Sequence, residues 1–347
     1  MPHSKTTLVT GSTGFVGSHV TRQLVAAGHC VRVLVRRSSN VTVLEGLPLE
    51  RAEGDLRDAL SLDRAMKGVR RVFHIAADYR LWVASPEEIY ESNVEGTRRL
   101  FQIAAEAGVE RVVYTSTVAT MAVPIPGGEL PNEETRATLE QMVGHYKRSK
   151  FLAELEAIKA AAAGLPIVIV NPTAPVGPGD WKPTPTGRII VDFLNGKMPA
   201  YVDTGLNLVA VEDVAAGHLL AADNGRIGER YILGARNMTL KQILQALASI
   251  TGRPAPRVRL PHAVALVAGY ADEWFSRLMG REPRIPVEGV KMSRHRMFVA
   301  SDKAERELGF KAGSVEGALE RAVRWYVEQG YVRGGADAKP VERVAAA

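Results

Sequence analysis

Short apolar runs alternate with longer amphipathic stretches along the first half of the chain. The apolar runs predict strands at 6–10, 30–35, 49–54, 70–76, 111–117 and 165–171. Between them, apolar residues at helical spacing predict helices at 15–28, 59–67, 86–108 and 136–163. Alternation of strand and helix implies parallel pairing, and strands buried on both faces are nearly continuous apolar runs. The pattern therefore predicts an α/β fold with a doubly wound parallel sheet.

The pattern changes at residue 172, where a proline- and glycine-rich loop begins. Beyond the loop the elements are less regular, with a strand predicted at 206–211 and helices at 187–195, 212–222, 239–251, 262–279 and 313–329. We expect a first domain over 1–176, rejoined by part of 205–236. A smaller mixed α/β cap that binds substrate is expected over 177–330, followed by a flexible tail over 331–347.

Composition is that of an ordinary globular protein, with 46% hydrophobic and 24% charged residues. No apolar stretch is long enough to span a bilayer, and the N-terminus enters the first strand without a signal-peptide core. We therefore expect a cytoplasmic protein. The single cysteine, Cys30, lies in an apolar run and is expected to be buried and unreactive.

Net charge is +6, with small basic clusters at 257–260, 281–286 and 293–297. These clusters indicate a solvated face, or else an anionic ligand or an anionic membrane surface. No nucleic-acid-binding module is present. His74, His145 and His218 do not form a metal-ligand pattern, so no metal is expected, and His74 is expected near the cofactor at a strand end.

A glycine turn, formed by Gly11, Gly14 and Gly17, lies between the first predicted strand and helix. Glycines at this spacing let a pyrophosphate approach the backbone at the helix N-terminus, as in a Rossmann-type dinucleotide site. An NAD site usually has a carboxylate after the second strand, but this chain has Arg36 and Arg37 there. A guanidinium suits a 2′-phosphate, which predicts NADP(H); ordinary surface arginines are the alternative.

Tyr146 and Lys150 are four residues apart and share one face of a predicted helix. A nearby ammonium is expected to lower the pKa of the tyrosine hydroxyl and make it an acid–base group. Thr117, at the end of a predicted strand, supplies a hydroxyl that orients a substrate oxygen; a strand threonine bonded to backbone is the alternative.

Seven motifs occur in one order along the chain: TGSTGFVG, GDLRD (54–58), HIAAD (74–78), SNVEGT (92–97), YTST (114–117), HYKRSK (145–150) and NPTAPVGPGD (171–180). Over residues 5–330 the chain thereby resembles the extended short-chain dehydrogenase/reductase family. The resemblance implies a catalytic set of Thr117, Tyr146 and Lys150, although serine is commoner than threonine at the first position.

The resemblance also implies which residues line the cofactor. Asp55 and Leu56 flank the adenine, Ala76 and Ala77 follow the fourth strand, and Asn93 supports the site. Phe15 and Val16 lie by the pyrophosphate, and Pro172 and Thr173 approach the nicotinamide. The full set of cofactor residues expected is Gly11, Thr13, Gly14, Phe15, Val16, Gly17, Arg36, Arg37, Asp55, Leu56, Ala76, Ala77, Asn93, Thr115, Tyr146, Lys150, Pro172 and Thr173.

Within the family, the chain is most similar to hopanoid-associated sugar epimerases and dihydroflavonol 4-reductase-like proteins. This implies hydride transfer at a hydroxyl or keto carbon of a sugar, sugar nucleotide or hydroxyketone. A ketone reductase with net NADPH oxidation is the alternative, and a non-enzymatic NADP(H)-binding regulator a further one. Dehydration is disfavoured because Val118 and Ala119 replace the acidic pair that dehydratases of the family carry.

Residues 261–280 have apolar side chains at helical spacing, including Trp274 and Phe275. This stretch packs within the cap, forms a homodimer interface, or lies on a membrane surface; the sequence leaves the three open.

Overall fold

Strands and helices alternate from the first described residues to Pro172, as the apolar pattern predicts. The computed structural model describes residues 6–80, 82–83, 85–121, 123, 128–281, 283 and 285–332. Residues 333–347, most of the predicted tail, lie outside the described residues.

Strands and helices are numbered separately along the chain. The strands are β1 (Thr6–Thr10), β2 (Cys30–Val35), β3 (Leu49–Glu53), β4 (Val69–His74), β5 (Arg111–Thr115), β6 (Ile167–Pro172), β7 (Ala174–Val176), β8 (Ala200–Val202), β9 (Gly205–Ala210), β10 (Arg230–Leu233), β11 (Arg236–Thr239) and β12 (Val258–Leu260). The helices are α1 (Phe15–Ala26), α2 (Ala59–Met66), α3 (Glu87–Tyr90), α4 (Gly96–Glu106), α5 (Gly144–Ala162), α6 (Pro185–Leu194), α7 (Val211–Asn224), α8 (Leu240–Thr251), α9 (His262–Leu278), α10 (Val287–Met292), α11 (Asp302–Leu308) and α12 (Val315–Glu328).

The chain folds into two compact units. The first contains the described residues up to 173 together with 212–233 and 300–311, and the second contains 174–211, 234–299 and the described residues from 312 onward. The domain boundaries expected from the sequence stay predictions.

A seven-stranded sheet with every strand parallel forms the centre of the first unit, in the order β10-β6-β5-β4-β1-β2-β3. The predicted α/β fold with a doubly wound sheet is thereby confirmed. Successive strands are added on one side of β1 up to β3 and on its other side from β4 onward, so the strand order switches between β1 and β4. Crevices at such a switch point are where this architecture binds ligands.

The core explains why the strands are continuous apolar runs. Residues 167–170 of β6 are completely buried, because helices cover both faces of a parallel sheet. On one face, Leu62 of α2, Leu100 of α4 and Ala153 of α5 pack with Leu8 and other strand residues in one apolar cluster.

The second unit has a three-stranded sheet, β11-β9-β7, and a two-stranded sheet, β12-β8. Helices α6, α8 and α12 share an apolar core with the first of these, through residues such as Phe193, Leu244 and Leu319.

Several predicted elements differ from the observed ones. The helix expected over 136–163 begins only at Gly144, because this residue adopts a φ of 81° and no right-handed helix continues through such a residue. The helix expected over 86–108 contains a π-helical turn at Glu91–Glu95. Cys30, expected to be buried, is exposed because it begins β2 at the edge of the core.

Candidate active site

The glycine turn between β1 and α1 is tightly packed. Gly11 has a φ of 73°, and a Cβ on it would lie 2.6 Å from the amide nitrogen of Ala76. A Cβ on Gly17 would lie 2.0 Å from the carbonyl oxygen of Gly11. The turn closes through a hydrogen bond of 2.9 Å from the Gly14 N–H to the Gly11 carbonyl. The predicted site residues Gly11, Thr13, Gly14, Phe15, Val16 and Gly17 thus lie together in this turn and the first turn of α1.

The turn has the donors that a phosphate needs. Gly14, the N-cap of α1, has no side-chain cap, so N–H groups of the first helical turn have no capping acceptor. The buried hydroxyl of Ser12 has no hydrogen-bond partner within the described residues. Orphan donors at a helix N-terminus favour an anion. A diphosphate-bearing group therefore fits these residues, and Ser12 is one that sequence reasoning missed.

The loop after β4 is fixed against β1. Thr10 Oγ1 accepts hydrogen bonds from the N–H groups of Ile75 and Ala76 at 3.2 and 3.3 Å, and it lies 2.8 Å from Nδ1 of His74. His74 Nε2 lies 2.9 Å from the Thr97 hydroxyl. Burial and the charge of Lys150 lower the pKa of His74 to about 3. The neutral imidazole is hydrogen-bonded to Thr10, and Thr10 in turn fixes Ala76 and the adjacent Ala77 beside the glycine turn.

Arg36 and Arg37 are exposed at the carboxyl end of β2. Asp55, after β3, forms a two-bond ion pair with Arg57 at 2.9 and 3.0 Å. That pair lowers the pKa of Asp55, and Arg36 lowers it further. Two predicted cofactor positions, Arg36 and Asp55, are therefore close enough to interact electrostatically. Leu56, another predicted cofactor position, accepts a hydrogen bond of 2.8 Å through its carbonyl from the Arg99 guanidinium.

Tyr146, Thr117 and Lys150 come together at the carboxyl end of β5. Tyr146 lies in the first turn of α5, close enough to the hydroxyl of Thr117 for that hydroxyl to affect its pKa, and the Thr117 hydroxyl accepts from the N–H of Ala119 at 3.2 Å. Lys150 lies one turn further along α5, where its Nζ donates to the Thr115 carbonyl at 2.8 Å and to the Tyr114 hydroxyl at 3.3 Å.

Burial shifts the pKa values of Tyr146 and Lys150 in opposite directions. Burial raises the pKa of Tyr146, and the neighbouring Thr117 hydroxyl acts in the opposite direction. Burial lowers the pKa of Lys150 to about 8, while the charge of Glu154 raises it. The expected lowering of the tyrosine pKa is therefore wrong for this structure, because desolvation of the phenolate outweighs any attraction to the ammonium.

A buried polar network that sequence reasoning missed supports these residues. Asn171, at the end of β6, donates to the Thr117 carbonyl at 3.1 Å and to Glu154 at 2.8 Å. Glu154 also accepts from the Thr120 hydroxyl at 3.0 Å and forms an ion pair with Arg230 at 3.2 Å. The only sequence signal was position: Glu154 is one helical turn beyond Lys150.

Asn93 joins three parts of the site. It lies in the π-helical turn, and its side chain exchanges hydrogen bonds with the backbone of Asp78 at 2.7 and 2.8 Å. It also donates to Ser149 at 3.0 Å, and Ser149 donates to the Tyr146 carbonyl at 2.9 Å. π-Helical turns occur frequently at functional sites. Asn93 therefore positions the first turn of α5.

The remaining predicted residues end β5 and β6. The Thr115 hydroxyl lies 2.8 Å from Nε2 of His218, whose Nδ1 donates to the Val214 carbonyl at 2.7 Å. Pro172 and Thr173 are buried, and Thr173 bonds through its N–H to the Leu233 carbonyl at 3.1 Å. Within the described residues no three His, Cys, Asp or Glu side chains are grouped as metal ligands would be.

Comparison with known proteins gives matches over nearly the whole chain. Residues 7–234 match the NAD dependent epimerase/dehydratase family. A Synechocystis sp. protein provisionally named a dihydroflavonol 4-reductase is 47% identical, over 94% of this chain and 95% of its own. Sterol demethylase protein B of Methylococcus capsulatus is 39% identical, over 94% of this chain and 100% of its own.

Solved structures are also similar, among them one from Pseudomonas aeruginosa. The crystal structure of a nucleoside-diphosphate-sugar epimerase from Pseudomonas aeruginosa is 29% identical and has a TM-score of 0.79. The match covers 95% of this chain and 99% of that one. The chain belongs to the NAD dependent epimerase/dehydratase family, that is, to the extended short-chain dehydrogenases/reductases that its motifs resemble.

Proposed function

We propose that this protein is an NADP(H)-dependent oxidoreductase that reduces a ketone to a secondary alcohol, with Tyr146 as the proton donor. One observation carries the proposal. The hydroxyl of Thr117 lies close enough to Tyr146 to affect its pKa, and the buried Lys150 is one helical turn away, at the sheet edge where the glycine turn also lies.

The residues that would hold the dinucleotide are those of the glycine turn, with Asp55, Leu56, Ala76 and Ala77 along its length. Arg36 and Arg37 would bind a 2′-phosphate, since both guanidinium groups are exposed at the end of β2, as such a contact requires. When bound, the nicotinamide supplies or accepts the hydride.

The chain's own residues handle the proton and orient the oxygen. A raised pKa keeps Tyr146 protonated near neutral pH, which suits a group that donates a proton to a carbonyl oxygen. Thr117 supplies a second hydroxyl to the same oxygen. With a pKa of about 8, Lys150 is mostly cationic at neutral pH, so it stabilises the phenolate left after the proton has moved. Alcohol oxidation uses the same groups in reverse.

Net reduction is favoured by the name of the Synechocystis relative, although the sequence motifs favour an epimerase of the hopanoid-associated type. Epimerisation of a sugar or sugar nucleotide is the second candidate, favoured by the Pseudomonas aeruginosa structure. Both begin with hydride transfer, and they differ in whether the dinucleotide is consumed.

The first test identifies the dinucleotide. The purified protein is analysed for any bound nucleotide, and calorimetry then compares its affinity for NADPH and NADH. We expect NADPH to bind more tightly by about tenfold or more, because each additional charged hydrogen bond contributes roughly 1.5–3 kcal/mol. Failure to bind either dinucleotide would overturn the proposal.

The second test addresses Tyr146. With hydroxyketones and nucleotide sugars as candidate substrates, we expect stoichiometric NADPH oxidation by a reductase and none by an epimerase. Tyr146→Phe is expected to lower kcat by about a hundredfold or more while NADPH affinity is unchanged. Tyr270→Phe, at an exposed tyrosine of α9, is the matched control. Full turnover by Tyr146→Phe would contradict the role of this residue as proton donor. If the natural chain binds NADPH but turns over none of the candidate substrates, a non-enzymatic regulator is favoured instead.

A further inference from the structure

Helix α9 presents its apolar side chains to solvent. The face formed by Val264, Val267, Ala268, Ala271, Trp274, Phe275 and Leu278, hereafter the α9 face, is exposed along its whole length. At about 100° per residue, these positions occupy an arc of about 120°. Trp274 is 66% exposed and Leu278 is 67% exposed. A contiguous apolar patch of this kind marks an interaction site.

The opposite side of α9, which carries Asp272, Glu273 and Ser276, faces the protein. Asp272 accepts hydrogen bonds from Arg281 at 3.1 Å and from the Ile285 N–H at 2.8 Å. Glu273 accepts from the Val287 N–H at 2.8 Å, and Ser276 is buried. A surface helix of a water-soluble protein normally has the opposite arrangement. The inversion indicates that the α9 face meets a medium less polar than water.

Cationic side chains lie next to the aromatic side chains of α9. Residues 253–296 contain nine Lys and Arg against four Asp and Glu; Asp203 pairs with two of these arginines, Arg259 and Arg296, and the segment keeps a net positive charge. Lys291 Nζ is 5.6 Å from the centre of the Tyr270 ring, and the Arg281 guanidinium is 6.0 Å from that of Phe275. Arg277, on α9 itself, is exposed. Cations next to an apolar face are complementary to an anionic lipid surface.

We propose that the α9 face docks on an anionic lipid bilayer, with the helix lying in the plane of the interface. Trp274, Phe275 and Leu278 insert among the acyl chains, and Arg277 and Lys291 bind the lipid phosphates. Tryptophan is a residue that membrane interfaces favour. Within the described residues no helix is long and apolar enough to cross a membrane, so the attachment is peripheral.

Charge argues against a second copy of this chain as the occupant. A twofold contact brings the same patch of both copies together, so basic residues of one copy would lie close to basic residues of the other. Like charges facing each other oppose association. An anionic lipid surface neutralises the same cations that would repel each other in such a dimer.

The test is flotation of the purified full chain with vesicles of phosphatidylcholine, with or without phosphatidylglycerol. We expect binding to the anionic vesicles, loss of that binding at high salt, and little binding to phosphatidylcholine alone. Trp274→Ser combined with Phe275→Ser should weaken binding about tenfold or more, and Arg277→Gln should weaken it selectively at low salt.

Leu60→Ser is the matched control, because Leu60 is 72% exposed on a helix of the other unit. If the double variant does not fold, Val267→Ser, at another position of the α9 face, replaces it and should also weaken binding. Flotation needs no turnover, so its result is independent of the proposed reaction. Absence of binding to anionic vesicles overturns the proposal. A dimer in light scattering that the double variant converts to monomer also overturns it, in favour of a second copy.

Discussion

The side chain of Glu154 contacts residues from several parts of the fold and also affects Lys150 in the candidate active site. Its carboxylate is buried and is shared among Thr120, Asn171 and Arg230, while its charge raises the pKa of Lys150. A buried ion pair is costly to break on one side, because the remaining charge is left without compensation. Glu154 therefore combines a structural role with an electrostatic effect on Lys150.

Glu154→Gln tests this combination. We expect the free energy of unfolding to fall by about 3 kcal/mol, because Arg230 loses its buried partner. The pKa of Lys150 should also fall, since the charge that raises it is removed. Urea denaturation measures the first effect, and the pH dependence of turnover measures the second as an alkaline limb shifted to lower pH.

Glu156→Gln on the same helix is the control. Glu156 pairs with Arg98 and Lys159 at the surface, where such pairs contribute less than about 1 kcal/mol. Equal losses of stability in the two variants would contradict the role given to the Glu154 network.

Residue types and spacings predicted part of this site. Tyr146 and Lys150 could be proposed because a helix brings positions four apart onto one face. Asn171 and Glu154 could not, since their partners Thr117, just after β5, and Arg230, in β10, are far away in sequence. The direction of the Tyr146 pKa shift also escaped prediction, because burial depends on the whole fold.

Among the elements, the turn between β1 and α1 has the least room for change. Gly17→Ala would place a Cβ 2.0 Å from the Gly11 carbonyl oxygen, so the helix must move away from the turn. We expect loss of about 2 kcal/mol in stability and a fall in NADPH affinity of about a hundredfold, measured by urea denaturation and calorimetry.

Gly14→Ala in the same turn is the comparison. Its Cβ would lie 3.2 Å from the same oxygen, and its φ of −86° suits any residue. A small shift of the backbone accommodates it, so the loss of affinity should be much smaller. An equal loss from both substitutions would show that close packing at Gly17 is not what the site requires.

Strong periodicity predicted the long elements, and weak periodicity explains the missed ones. β1, β2 and α1 are apolar runs and amphipathic stretches whose patterns needed no tertiary information. β10 has four residues and joins the sheet only by pairing with β6. Similarly, the conformation of Gly144, and not any helix propensity, determines where α5 begins.

At the scale of the molecule, discontinuous units limit what periodicity can show. Residues 300–311 return to the first unit, where Lys303 pairs with Glu229 at 2.5 Å and Asn224 donates to the Leu308 carbonyl at 3.1 Å. These contacts join segments more than seventy residues apart. The pattern of apolar and polar residues along the chain does not indicate that residues 300–311 belong to the first unit.

Two buried histidines make stability of the whole molecule depend on pH. Burial lowers the pKa of His218 to about 4, and burial with the charge of Lys150 lowers that of His74 to about 3. Both lie below the ordinary value of 6.5, so the unfolded chain binds these protons more readily than the folded one. The stability that they contribute is complete above about pH 6.5 and is lost as the pH falls below it.

We therefore expect the free energy of unfolding to fall by about 1.4 kcal/mol per pH unit for each histidine between about pH 6 and pH 4. Buried carboxyls with raised pKa, such as Glu133, act in the opposite direction, so the comparison is made against a variant. His218→Gln removes one proton site, and its urea-derived stability should depend less steeply on pH than that of the natural chain. His295→Gln, at an exposed position, should keep the original slope. Parallel slopes for the natural chain and His218→Gln would mean that His218 takes up its proton equally in the folded and unfolded states.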